Sequence, residues 1–354
     1  MFPHDPDHLL AAVTHAAPFD YYRRLAEGPP LLFDAGLDCW LAIGSGVPAV
    51  LEHPDLRVRP AGQPVPLHLI GTACGAIFAE LVRMNDGERH AGARRQLMQR
   101  LAGEDLVRLH EDTARLACDH QPGSAAQLNR LIFDVPLLAV AQLLGFAPAD
   151  LPQIAAWTQE LVAALPVTAD HATIARAERA ASGLQTAFTC LLPDADANQR
   201  ANLIGLLTQT CEATAGLLGN SVLALHAKGA RAPTLAIHNT RRFAVCDVQL
   251  DNVTIRQGQM VLVLLAGDGL AFGHGVHRCP GQAVAQTIVA AILAAWSGAL
   301  GRLPLDWHYR ASPNARIPVL QWRPHDRRDL RSLAQHAGAR ALPGAGGGAT
   351  AAAG

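Results

Sequence analysis

Apolar positions recur at helical spacing over most of the chain and alternate at strand spacing in a few shorter stretches. Helical patterning covers Tyr21 to Ala26, Val47 to Glu52 and Ala91 to Leu101, and it dominates from Ala125 to Leu192, where Pro136, Pro148, Pro152 and Pro166 predict breaks. It resumes from Ala201 to Ala227 and from Ala283 to Ala299. Strands are expected around Leu31 to Phe33 and Cys39 to Ile43, at Thr240 to Ala244, and through Val248 to Leu265 with turns at Asp251-Asn252 and Gln257-Gly258. Two more fall at Trp307 to Arg310 and Ile317 to Trp322. The fold class is therefore mainly α with a smaller antiparallel β region. Residues 1–335 are expected to form a single domain, followed by a disordered tail at 336–354, where alanine and glycine show no apolar periodicity.

The run from Ala201 to Ala227 is the longest uninterrupted helical pattern and contains one acid, Glu212, so it should pass through the interior. A carboxyl there must find a partner, hold a proton or line a wet pocket. Leu161, Leu165 and Phe188 are candidates for a pocket wall, although leucines at helical spacing build plain core just as readily.

Composition narrows the function classes. Half of the 354 residues are hydrophobic, 17% are charged, and the formal net charge is -1. No electrostatic footprint for nucleic acid or an anionic membrane is present, and a small or apolar ligand fits better. Seven cysteines at scattered positions, with no CxxC pair, argue against a disulfide framework or a zinc site and suit a reducing cytoplasm. Asp5 and Asp7 precede any apolar run, and Gln286 and Ser297 interrupt the longest apolar stretch, so neither export nor a membrane anchor is expected.

The strongest chemical signal is Phe272-Gly273-His274-Gly275-Val276-His277-Arg278-Cys279-Pro280-Gly281. Its glycines permit tight turns and close backbone approach to a flat ligand, and Pro280 suits the first turn of the helix that follows. Cys279 would then sit at a helix N-terminus, which favours a thiolate able to ligate iron. The pattern Phe-Gly-x-Gly-x-His-x-Cys-x-Gly resembles the proximal haem-binding loop of the cytochrome P450 family.

That resemblance implies a haem b with Cys279 as axial iron ligand and Phe272, Gly273 and Gly281 shaping its loop. His90 and Arg94, four apart on one helical face after Asn85-Asp86-Gly87-Glu88-Arg89, look like the family's propionate-binding pair. Arg242 looks like the strand arginine for the other propionate, and His277 joins them. The central helix carries Thr210-Cys211-Glu212-Ala213-Thr214 where the family places an acid followed by a threonine that together relay protons during oxygen activation. Here Ala213 replaces the hydroxyl, and Thr214 lies about 100° further round the helix. Glu212, Thr210 and Thr214 are the candidate relay residues.

No glutamate follows Glu212, so the family's Glu-x-x-Arg helix is missing downstream, and Glu80-Leu81-Val82-Arg83 is a coincidental match on the wrong side of His90. The strand ending near Leu265 runs almost directly into the cysteine loop, so the family's meander is missing too. The resemblance implies a shortened haem-thiolate monooxygenase acting on a small apolar molecule, with electrons from a ferredoxin-type partner. The alternatives are a haem protein that uses peroxide, and a degenerate homologue that serves as an auxiliary or scaffold for a partner enzyme.

Overall fold

In the computed structural model, residues 5–226, 235–267, 269–300 and 305–322 are described, and the expected tail at 336–354 lies outside them. The chain opens with α1 (Leu9–Ala12), α2 (Pro18–Ala26), the hairpin β1 (Leu31–Asp34) and β2 (Cys39–Ala42), then α3 (Gly46–Glu52) and β3 (Leu56–Arg57). A helical block follows: α4 (Ala73–Glu80), α5 (Gly87–Ala102), α6 (Leu106–Asp119), α7 (Ala125–Leu144), α8 (Leu151–Ala163), α9 (His171–Leu191) and α10 (Ala197–His226). Strands β4 (Asn239–Ala244), β5 (Val248–Leu250), β6 (Val253–Ile255) and β7 (Met260–Leu264) precede α11 (Gln282–Leu300) and the hairpin β8 (Leu305–Tyr309) and β9 (Pro318–Trp322).

The mainly α class with a smaller β region holds. The five-stranded sheet runs β1-β2-β7-β4-β3 and is mixed, because β2 and β7 pair in parallel while the other neighbours are antiparallel. Alternation along β7 explains why both faces are covered. Val261 and Val263 join Val47, Val50 and Leu51 on one face, and Leu262 and Leu264 join Leu9, Tyr22 and Leu41 on the other. The turns expected at Asp251-Asn252 and Gln257-Gly258 form, with Asp251 at φ 49 and Gly258 at φ 83.

The largest core lies between the helices and holds Ile132, Leu137, Phe188, Leu207 and Trp296. Helix α7 starts where the Ser124 hydroxyl accepts from Gln127 N and ends at Gly145 in the left-handed region. Pro136 was expected to break it and does not. Buried residues surround that turn, Val135, Leu137 and Leu138 among them, and their packing outweighs the lost backbone bond, which costs about 3 kcal/mol in a helix interior. The other three prolines fall where expected, at or between helix ends. Leu161 and Phe188 are core residues, with Phe188 edge-on to Phe146, and Leu165 packs against the same core. Helices α7 and α11 have the length and hydropathy of a membrane span, and both contribute buried residues to this core.

Helix α10 is the axis of the block and packs against α4, α5, α7, α8, α9 and α11. Its glycines mark where other segments cross it. A Cβ on Gly205 would stand 2.7 Å from Leu81 Cδ2, and one on Gly219 would stand 2.7 Å from Pro318 Cγ. Two asparagines hold these crossings. Asn202 Oδ1 accepts from Val82 N at 2.6 Å, and Asn220 Nδ2 donates to Arg316 O at 2.8 Å. The segment before α5 and the β8-β9 hairpin are thereby fixed to the helix that carries Glu212.

Asn202→Ala removes the acceptor of a buried Val82 N–H, an unmet group that costs about 1 to 3 kcal/mol. Urea unfolding should show a midpoint lowered accordingly. An unchanged midpoint would mean that the 82–84 turn is held by other contacts.

Candidate haem-binding site

The cysteine loop is a set of tight turns. Gly273 (φ 73) and Gly275 (φ 64) adopt left-handed backbone, a conformation that disfavours residues with a Cβ. Cys279 N donates to Phe272 O at 2.8 Å, which closes the loop, and Ala285 N donates to Gly281 O at 2.9 Å, which starts α11. Helix α11 therefore begins at Gln282, and Pro280 precedes its first turn instead of occupying it. His274 Nε2 meets Glu52 Oε1 at 2.7 Å and ties the loop to α3.

The Cys279 thiol is accessible to solvent. Burial is nonetheless the main influence on its acidity and pushes its pKa up, against the Gly281 N–H and the charges of Arg94 and Arg278, which pull it down. Burial thus opposes the thiolate, and the Gly281 N–H with the two arginines favours it.

Two of the sequence candidates, Arg94 and His277, stand beside Cys279, and His90 and Arg242 join them through His277 and Asp86. His90 and Arg94 lie on one face of α5. His90 is buried, and its ring packs tilted against the His277 ring with centroids 4.2 Å apart. His277 Nε2 lies 3.1 Å from Asp86 Oδ1, and Asp86 Oδ2 also accepts from Val58 N at 3.2 Å. Arg242 is buried on β4, where its Nη1 donates to Arg241 O at 2.8 Å and its charge acts on Asp86. Arg94 Nη2 donates to Arg278 O at 2.8 Å, next to Cys279.

The electrostatics follow from that geometry. Burial alone would raise the Asp86 carboxyl, but the His277 bond, the Val58 N–H and the Arg242 charge outweigh it and hold Asp86 below the usual carboxylate range. Burial, then the charges of His277 and Arg94, push His90 down to about 4, so His90 is neutral and offers a hydrogen bond, not a charge. The sequence reading missed Asp86. An aspartate before a helix reads as an N-cap, yet this one makes no cap bond to α5.

Helix α10 carries the candidate relay. Glu212 Oε1 lies 3.5 Å from Arg310 Nη2, and the Arg310 guanidinium sits 5.9 Å from the centroid of the Phe133 ring. Thr210 Oγ1 donates to Leu206 O at 2.8 Å, Thr214 is buried, and Ala213 is half-buried without a hydroxyl. Glu80 pairs with Arg89 and accepts from Asn198 Nδ2 at 2.7 Å, while the charge acting on Arg83 is that of Glu212. The Glu80-x-x-Arg83 match is thus the coincidence it was taken for. Arg310 had no signal in the sequence, since its partner lies 98 positions away on another element.

A haem suits these groups. The loop gives close backbone approach at Gly273 and Gly275, an accessible sulfur with a backbone N–H aimed at it, and Arg94 beside that sulfur, with His277, His90 and Arg242 grouped around Asp86 nearby. No cluster of histidines, cysteines and acids able to hold a bare metal ion occurs among the described residues.

Comparison with known proteins agrees on the fold. CalO2 matches with a TM-score of 0.70 and 20% identity, covering 92% of this chain and 100% of that one. P450 RauA, solved with a biosynthetic intermediate of aurachin RE, matches with a TM-score of 0.69 and 16% identity, covering 86% and 96%. Mycocyclosin synthase of Mycobacterium tuberculosis and cytochrome P450 121 of Mycobacterium bovis are each 33% identical over 22% of this chain and 28% of the relative. The chain thus matches under a third of the length of these curated relatives. No protein-family model matches the sequence.

The fold is that of the cytochromes P450, and the chain resembles that family in its cysteine loop as well. It is a shortened form: among the described residues no helix stands between α10 and β4, and only turns join β7 to the loop of Cys279.

The depressed His90 pKa has a consequence for stability. Above about pH 6.5 the imidazole is neutral in both folded and unfolded chains. As pH falls from there towards about 4, the unfolded chain takes up a proton that the folded chain refuses, so stability drops across that window. His90→Gln should flatten this slope in urea titrations at stepped pH. Parallel slopes for the two proteins would contradict a buried neutral His90.

Proposed function

We propose that this chain is a haem-thiolate monooxygenase of the cytoplasm, with Cys279 as the axial ligand of one haem b. It would oxidise a small molecule with an apolar body and take electrons from a ferredoxin-type donor. The observation that carries this reading is Arg94 beside an accessible cysteine, with His277, His90 and Arg242 clustered around Asp86 next to the same loop, in a fold of this class. A bound haem supplies one-electron and dioxygen chemistry, and the protein supplies binding, orientation and electrostatics.

The side chains divide that work. Arg94 and Arg242 offer permanent charges to the propionates, each charge-assisted bond contributing roughly 1.5 to 3 kcal/mol when shielded from water. His90 adds a neutral donor, and His277 is oriented by Asp86. Gly273 and Gly281 keep the loop thin where the ring would lie, with Phe272 at the closing bond beside the sulfur. On α10, Glu212 is the acid for proton delivery, held by Arg310.

A second reading is favoured by one specific observation. The hydroxyl of Thr210 is committed to Leu206 O, Thr214 is buried, and Ala213 has nothing to donate, so the relay is short of one proton donor. Such a loss commonly costs about 10² to 10⁴ in rate. A haem protein that uses peroxide, or an auxiliary partner for another enzyme, would not need that donor.

One set of variants tests both readings. Purified protein, reduced under carbon monoxide, should show the red-shifted Soret band of thiolate ligation, and Cys279→Ala should abolish it. An unchanged band in that variant would overturn the haem-thiolate assignment. Ala213→Thr should raise the product formed per electron supplied, because it restores a proton donor at that position. Tight coupling in the natural protein, lowered by Ala213→Thr, would favour the second reading.

A further inference from the structure

We infer that the N-terminal segment through α2 is fastened by an acid-sensitive latch. The His238 ring and the Arg316 guanidinium form its fixed half, and residues 13–26 form the half that leaves when His238 takes a proton. The inference does not rest on the haem reading.

Two paired segments build the fixed half. Ile237 and Ala315 form an antiparallel bridge, flanked by bonds from His238 N to Asn314 O at 2.9 Å and from Arg316 N to Ala236 O at 2.7 Å. That register places the His238 and Arg316 side chains on one face of the pair. The N-terminal segment covers that face. Tyr22 Oη lies 2.8 Å from His238 Nδ1, and the Phe19 ring stands 5.7 Å from the imidazole, centroid to centroid. Arg316 Nη1 donates to Val13 O and His15 O, both at 2.7 Å, and its Nη2 donates to Ala16 O at 3.4 Å. The Arg316 guanidinium carbon also sits 3.4 Å from the centroid of the Tyr309 ring. His238, Tyr22 and Arg316 are 0%, 1% and 4% exposed, so water does not screen the latch.

Nothing in the latch is ready for a second cation. Arg316 is permanently charged and meets carbonyls and a ring face in place of a carboxylate. The titratable groups facing His238 are Tyr22 of α2, with Tyr21 beside it, and Arg316 with Tyr309 from the β8-β9 hairpin. The end of β7 presents only Leu265 and Ala266 there, and the acids Asp5 and Asp34 act on Tyr21. Burial, then the Arg316 charge, push His238 down to about 3; the Leu235 backbone offsets little of that, and Nε2 makes no hydrogen bond. The imidazole of the closed latch is therefore neutral.

The contacts also decide which half moves. His238 N is held by Asn314 O, and its carbonyl accepts from Leu265 N at 2.9 Å and Ala266 N at 3.2 Å. Arg316 is fixed as well, since its carbonyl accepts from Asn220 Nδ2 of α10 at 2.8 Å. The ring reaches water only when its cover of Tyr22 and Phe19 lifts. Stability of the closed form is full above about pH 6.5 and is lost as pH falls from there towards about 3. Opening frees three carbonyls from Arg316 and uncovers Leu262 and Leu264 of β7.

Amide hydrogen exchange on the purified full chain, read by mass spectrometry at stepped pH and corrected for intrinsic rates, tests this. Between pH 7 and 5, where carboxylates stay ionised, the opening constant of peptides from 9–26 should rise about tenfold or more. At each pH it should exceed that of the 125–144 peptide, because the segment opens without the whole chain. His238→Asn should flatten the rise. Two other histidines of the segment accept local bonds, His8 from Ala11 N and His15 from Ala17 N, so the double variant His8→Asn, His15→Asn is the control and should keep the rise. A flat profile in the natural protein, or opening constants equal to those of 125–144, would overturn the latch. So would a rise that survives His238→Asn or vanishes in the control. If His238→Asn fails to fold, the natural protein and the control still decide the matter.

Discussion

The hydrogen bond from Cys279 N to Phe272 O closes a loop that three separate elements then hold in place, and the rest of the site depends on it. Helix α3 grips the loop through Glu52 and His274, α5 through Arg94 and the carbonyl of Arg278, and α11 grows from its far end at Gly281. A sulfur held from three directions keeps its position whatever it binds, which is the preorganisation a metal ligand needs. Asp86 is the hub that joins His277 to β4 and to the segment at Val58.

Two charge environments result. Around the cysteine loop, Arg94 and Arg242 lie with the half-buried Asp86 and two imidazoles, an arrangement suited to a ligand with two carboxylates. On α10, Glu212 pairs with Arg310 at 3.5 Å. Glycines and asparagines along α10 let the 82–84 turn and the β8-β9 hairpin pack closely on the helix that carries Glu212.

What was legible in the sequence was what local spacing encodes. The loop of Cys279 is ten consecutive residues whose turns follow from their glycines, and His90 and Arg94 share a face because helices repeat every 3.6 residues. Strand alternation located β7 and its partners, but the parallel pairing with β2 is a long-range choice that no local pattern records. Asp86 was hidden because the same residue type before a helix serves as a cap, and only the approach of His277, 191 positions away, shows its other use. Arg310 was illegible for the same reason. Pro136 failed in the opposite direction, since a strong local signal for a break was overridden by burial around that turn of α7.

X-ray absorption at the iron edge, measured on purified chain carrying its haem, reports the atoms bound to iron without reference to any reaction. One sulfur scatterer alongside the porphyrin nitrogens is the expected result, and it should be replaced by a lighter atom in Cys279→Ala. A shell of nitrogen and oxygen alone in the natural protein would contradict axial ligation by Cys279.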